Sequence, residues 1–185
     1  MERDSFLYNI RRKGQIIAHK IFPDEVLSKI YFKVVLGKKL NLKNPKTFND
    51  KMQWLKLYYY PFNSTVVKCA DKYAVRKYME EKGYAKLLVP LIGYWDNADK
   101  IDWDKLPEKF VMKCNHGCAY NILCNDKRNF DTKKATYQLN KWMKEDFGAF
   151  NIENHYSKIQ PHMITCEKFL GDNITDYKFF CFNGK

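Results

Sequence analysis

At 185 residues the chain has room for one domain with its own core, or for a piece of a larger enzyme. Its 45% hydrophobic and 16% aromatic content excludes intrinsic disorder. The 33 basic against 21 acidic residues leave a net charge of +12, which suits anionic partners (nucleotides, nucleic acid, acidic glycans or an anionic membrane surface) without choosing among them.

In chain order, residues 1–65 read as a basic helical segment. Pro23-Asp24-Glu25 opens a helix carrying Val26, Leu27, Ile30 and Tyr31, and Thr47-Phe48-Asn49-Asp50 opens a second with Met52, Trp54, Leu55 and Leu57 on one face, ending at Pro61. Within 66–105, the spacing of Tyr73, Val75, Tyr78 and Met79 predicts a helix over 71–82 that stops at Gly83. Residues 87–95 then read as a buried strand with Pro90 at its edge, and helix followed by strand suggests α/β packing. In 106–185, strands are expected at 110–113 and 121–124 around a 115–120 loop. A helix follows from Asp131-Thr132, with Ala135, Leu139, Trp142 and Met143 as its buried face. Two last strands, at 163–170 and 177–182, precede Asn183-Gly184-Lys185, which reads as the turn of an unfinished hairpin.

Arg3, Asp4, Arg11, Arg12 and Lys13 interrupt the start before a signal-peptide core could form, and the apolar runs are too short to span a bilayer. The six cysteines lie mostly inside apolar runs, where a reduced thiol behaves as a small hydrophobe. A cytoplasmic protein with free thiols is expected, its basic segment either a plain solvated face or a surface able to dock an anionic glycan or acidic lipid at the inner face of the membrane.

The stretch from Phe110 to Cys124 carries the most chemistry: a lysine closes one apolar run, a glycine-containing loop follows, then a second apolar run. A cation beside a tight loop between two strands grips phosphate well, because ammonium and loop N–H groups both favour anionic oxygens. Each residue also has a plainer reading. Lys113 could snorkel its head to solvent, Glu167 could be a surface residue on an edge strand, and Asp176 could be a turn or cap. His116 reads as a loop residue that orients the backbone, with no nucleophile or carboxylate beside it in sequence. Cys114, His116, Cys118 and Cys124 lack a Cys-x-x-Cys pair and alternate between faces of a strand, which argues against zinc. The run Trp54, Tyr58, Tyr59, Tyr60 and Phe62 could stack on bases or sugars, but at helical spacing it is more often core.

Taken together, Asp71-Lys72-Tyr73-Ala74-Val75-Arg76, Leu88-Val89-Pro90-Leu91-Ile92-Gly93, Leu106-Pro107-Glu108-Lys109-Phe110-Val111-Met112-Lys113, Asn115-His116-Gly117 with Asn121-Ile122, and the segments 164–170 and 176–185 resemble the TupA-like branch of the ATP-grasp superfamily, associated with teichuronopeptide and other cell-surface polysaccharide biosynthesis. The resemblance runs from about residue 45 to residue 185. It implies an ATP-grasp-like α+β (α/β) fold, with a β-β-α-β nucleotide-binding region in 106–185 and a second subdomain left incomplete. It implies ATP and Mg²⁺ as cofactors, with metal ligands expected beyond Lys185. Lys113 and Lys72 would meet the phosphates, and Asn115, His116, Gly117 and Asn121 would belong to a flexible flap over them. Glu167, Lys168, Phe169 and Leu170 would form the hinge that reads adenine, Asp176 would accept from the ribose hydroxyls, and Lys178 would share its strand face. Relatives usually carry glycine and serine where this chain has Cys118, Ala119 and Tyr120, so a bulkier loop is expected. The reaction implied is activation of a carboxylate as an acyl-phosphate, with an anionic glycan or peptide as acceptor. A non-catalytic glycan- or partner-binding module is the alternative, and nucleic-acid binding ranks last.

Overall fold

A computed structural model describes residues 6–175 and 177–181. Among the described residues eight α-helices run in chain order: α1 (Phe6–Ile21), α2 (Asp24–Leu36), α3 (Phe48–Tyr58), α4 (Ser64–Ala70), α5 (Ala74–Glu81), α6 (Thr132–Met143), α7 (Phe147–Asn151) and α8 (Asn154–Ser157). Four strands, β1 (Leu91–Trp95), β2 (Phe110–Cys114), β3 (Asn121–Cys124) and β4 (Ile164–Lys168), form one sheet in the order β1-β4-β2-β3. All three pairings are antiparallel, so the described residues make an α+β fold.

Local chemistry explains most boundaries. Thr47 caps α3 with a full capping box, its hydroxyl accepting from the Asp50 N–H while the Asp50 carboxylate accepts from the Thr47 N–H. Asp131 caps α6 through the Lys134 N–H. Gly83, at φ +82°, takes the left-handed turn that ends the α5 region, a conformation glycine enters without steric cost.

Strand alternation then sorts the sheet into two faces. Phe110, Met112 and Cys114 of β2, Cys124 of β3 and Ile164 and Cys166 of β4 point into a core closed by Leu139 and Trp142 of α6. Burial pushes the thiols of Cys114 and Cys166 up to about 12, which leaves them as small apolar groups. Val111 and Lys113 of β2, opposite Glu167 and Thr165 of β4, point to the other face.

Several expected elements differ. The helix expected over 71–82 begins only at Ala74, because Asp71 turns the chain, its carboxylate accepting from the Tyr73 and Ala74 N–H groups. The expected strand over 87–95 is confined to Leu91–Trp95 and is half-exposed rather than buried. It lies at the sheet edge with β4 as its one neighbour, while residues 85–87 form a short 3₁₀ turn. The strand expected over 163–170 spans Ile164–Lys168. No strand forms in 177–181, where Tyr177, Phe179 and Phe180 are exposed, and 182 lies outside the described residues. The alternating aromatic pattern there lacks a paired edge, and strand propensity without a partner does not make a strand. The turn expected at Asn183-Gly184-Lys185 also lies outside the described residues. Helices α4, α7 and α8 have periods too short to register in the sequence.

Leu139, fully buried on α6, and the exposed Tyr137 two residues earlier test the placement of the core. Leu139→Ala should lower the unfolding free energy in urea by about 2–5 kcal/mol, whereas Tyr137→Ala should change it by less than about 0.5 kcal/mol.

Candidate functional site

The site builds up where β2 ends. Lys113 projects from the face away from the core, and its ammonium sits 2.5 Å from Glu167 Oε2 on the neighbouring β4. Arg76 of α5 reaches the other oxygen, Glu167 Oε1, at 3.3 Å, and donates to the Val89 carbonyl at 2.7 Å. The Glu167 side chain is 8% exposed, so two cations hold a carboxylate that burial alone would disfavour.

Lys72 completes the basic cluster. Its Nζ donates to the Gly117 carbonyl and its backbone N–H to the Asn115 carbonyl. Burial pulls the pKa of this lysine down, and the nearby Lys113 charge adds to the effect. Among the described residues the Lys72 ammonium forms no ion pair with a carboxylate. A half-buried ammonium held by a neutral carbonyl gains from an anionic oxygen more than a solvated one does.

Asn115, expected on an open flap, is fully buried. Its Nδ2 donates to Asp71 Oδ1 at 3.0 Å and to the Pro161 carbonyl at 3.1 Å, while its Oδ1 accepts from the Met163 N–H at 2.8 Å. His116 and Gly117 are buried with it. His116 stacks on His162 at 3.6 Å, and its Nε2 lies 3.0 Å from the Trp142 carbonyl. Burial first, then the neighbouring His162, pulls His116 down to about 4, so its ring is neutral near pH 7.

The loop is pinned by Tyr120. Its ring stacks on Trp142 at 5.1 Å, and its hydroxyl donates to Glu145 at 2.5 Å and accepts from Arg12 at 2.6 Å. A Cβ on Gly117 would come within 2.7 Å of the Tyr120 ring, so glycine is required by this packing. Of the loop, Cys118 and Ala119 are exposed, with Ala119 in the left-handed region at φ 57°.

The structure therefore gathers Lys72, Lys113, Asn115, Gly117 and Glu167 and disperses the others. Asn121 is exposed opposite Lys113 on β3. Lys168 follows Glu167 on the opposite strand face, and Phe169 lies under the Lys109 ammonium at 5.8 Å. Leu170 is exposed, as is Lys178 in the strandless 177–181 stretch, and Asp176 lies outside the described residues. Arg76, overlooked as a site residue, stood four positions after Lys72 in the same motif. That i, i+4 spacing was its one visible signal.

Beside the cluster a cleft of about 590 Å³ opens between α5, β1 and the 160–163 segment, lined among others by Asp71, Tyr73, Arg76, Leu91 and Pro161. That volume lies in the range of small-molecule sites. Tyr73 packs against Tyr94 at 4.8 Å at its edge.

The sequence matches the family model described as TupA-like ATPgrasp over residues 50–185, which takes in β2, β3, β4 and every residue of the cluster. The chain belongs to the TupA-like ATP-grasp family. No curated protein and no solved structure matches it. The TupA-like assignment makes this an ATP-grasp-type protein, and ATP-grasp proteins generally use ATP and Mg²⁺. Among the described residues no three His, Cys, Asp or Glu side chains gather as metal ligands. No helix among them is long and apolar enough to cross a membrane.

Two outcomes check this geometry. Asn115→Ala should cost about 2–4 kcal/mol in urea unfolding by orphaning several buried partners, while Asn121→Ala on the adjacent strand should be nearly neutral. His116 is depressed in the folded state from 6.5 to about 4, so the unfolded chain binds the extra proton first. Its contribution is complete above about pH 6.5 and is lost as pH falls toward about 4, by at most about 1.4 kcal/mol per pH unit, and His116→Phe should flatten that slope in urea titrations.

Proposed function

We propose that the face of the sheet bearing Lys113 and Glu167 is the nucleotide face of an ATP-grasp ligase-like protein, with Lys72 and Lys113 meeting the phosphates of ATP. The observation that carries this reading is the half-buried Lys72 ammonium, donating only to the Gly117 carbonyl among the described contacts and standing near Lys113. Phosphate oxygens would supply an anionic partner and offset the burial that disfavours its charge. Glu167 then acts as a placeholder: it holds Lys113 upright in the free protein, and Arg76 keeps Glu167 in place when Lys113 turns to the ligand.

In this reading the backbone of Glu167, Lys168, Phe169 and Leu170 reads adenine, and Asp176 and Lys178 lie toward the ribose. Mg²⁺ arriving with ATP would supply neutralisation of phosphate charge. The reaction is that of a carboxylate-activating ligase. A substrate carboxylate oxygen attacks the γ-phosphorus, the bond to the β–γ bridging oxygen breaks, and ADP leaves. An amine then attacks the acyl-phosphate carbonyl, phosphate departs with the bonding electrons, and the amine proton passes to solvent. The acceptor would be an anionic glycan or peptide of cell-surface polysaccharide biosynthesis, drawn by the basic surface.

Calorimetric titration with ATP, with and without Mg²⁺, tests the reading. Saturable binding should weaken at least tenfold, about 1.4 kcal/mol, in Lys113→Ala and in Lys72→Ala. Arg76 still holds Glu167 in Lys113→Ala, so the sheet should stay folded. No binding at millimolar ATP would refute the nucleotide site and favour a glycan-binding module.

A further inference from the structure

Helix α1 is turned inside out relative to an ordinary surface helix. Arg12 points inward, where it donates to Glu145 at 2.8 Å and lies over the Phe150 ring at 4.0 Å. His19, on the same inward side, lies 3.0 Å from Asp24. Three of its isoleucines face out instead, Ile10, Ile17 and Ile21 being 51%, 57% and 65% exposed, while Ile16 lines the cleft on the Arg12 side. Steps of seven and four residues place these three on one line along a helix of 3.6 residues per turn.

Cations border that line. Lys13 and Lys20 are exposed along one side and Arg11 along the other, and α1 contains no acidic residue. Phe22 at the following turn, and Val26, Ile30 and Val34 of α2, which recur every four residues, are also exposed. Between residues 6 and 46 the chain carries ten Lys and Arg against two acidic residues, Asp24 and Glu25, so this stretch of sequence holds most of the +12.

A soluble surface does not leave a row of large aliphatic side chains in water without reason. A nucleic acid or acidic glycan would engage the lysines and leave the isoleucines wet. A second copy would cover the isoleucines but bring two strongly basic surfaces together. An anionic bilayer surface satisfies both halves, because aliphatic side chains enter the interface while the flanking cations meet lipid phosphates.

We propose that the outward face of α1, extended through Phe22 to α2, is an interfacial docking surface for an anionic lipid bilayer. Ile10, Ile17 and Ile21 enter the headgroup–acyl boundary, and Arg11, Lys13 and Lys20 contact the lipid phosphates. The helix lies in the plane of the interface and does not cross it. This docking is independent of the nucleotide site, and ATP titration in solution does not bear on it.

Sedimentation of the 185-residue chain with phosphatidylcholine vesicles, with and without one third phosphatidylglycerol, tests it. Binding to the anionic vesicles should exceed that to neutral ones at least about tenfold and fall with added salt. Ile17→Ser with Ile21→Ser should lower it by about tenfold or more with circular dichroism unchanged, and Lys13→Ser with Lys20→Ser should lower it and flatten the salt dependence. Equal binding to both vesicle types, or full binding by the isoleucine variant, overturns the proposal. So does a solution oligomer that the isoleucine variant dissociates without vesicle binding by the parent. If the serine variants do not fold, the comparison of lipid compositions with the unmodified chain decides alone.

Discussion

The buried amide of Asn115 is the constraint on which the rest of the structure depends. One residue past β2, it joins three parts of the chain that are far apart in sequence: Asp71 ahead of α5, the 161–163 entry to β4, and β2 itself. Its backbone doubles both links, the carbonyl accepting from the Lys72 N–H and the N–H donating to the Met163 carbonyl at 2.9 Å. A side-chain amide can offer two donors and an acceptor at once, so asparagine fits a junction where a helix cap, a loop and a strand must be fixed together in low dielectric. Lys72 and Lys113 owe their proximity to this junction, since one precedes α5 and the other ends β2.

The sheet divides its two faces by chemistry. One packs sulfur, aliphatic and aromatic groups against α6; the other carries Lys113, Thr165 and Glu167 in adjacent registers. Thr165, fully buried, directs its hydroxyl to the Lys113 carbonyl at 3.3 Å, so even the polar face is anchored by an internal bond. A carboxylate between two cations fixes rotamers that would otherwise roam, and a long side chain held in one place loses less entropy when a ligand arrives.

Much of this was legible in the sequence. The β2–β3 hairpin, the Asp131 cap and the α6 core face follow from alternation and capping chemistry, which are local. Asn115, His116 and Gly117 read as loop because polar and glycine residues stand between strands, and the family resemblance made that loop a flexible flap. Their burial depends on Tyr120, whose ring finds Trp142 and whose hydroxyl finds Glu145 and Arg12, contacts spanning up to 108 residues that no local window contains. Glu167 was legible as a residue near the site but not as the partner of Lys113 and Arg76, because pairing across β2, β4 and α5 is decided by register. The 177–181 aromatics show the opposite failure, a strong local pattern that pairs with no strand among the described residues.

Arg12 grips Tyr120 and Glu145 together, and Tyr120 in turn fills the space above Gly117, whose carbonyl holds Lys72. The first helix is thus joined by side-chain contacts to the tip of the hairpin and, through it, to the Lys72 amine. Side-chain contacts therefore run without a break from Arg12 through Tyr120 and Gly117 to Lys72, across more than a hundred residues of sequence.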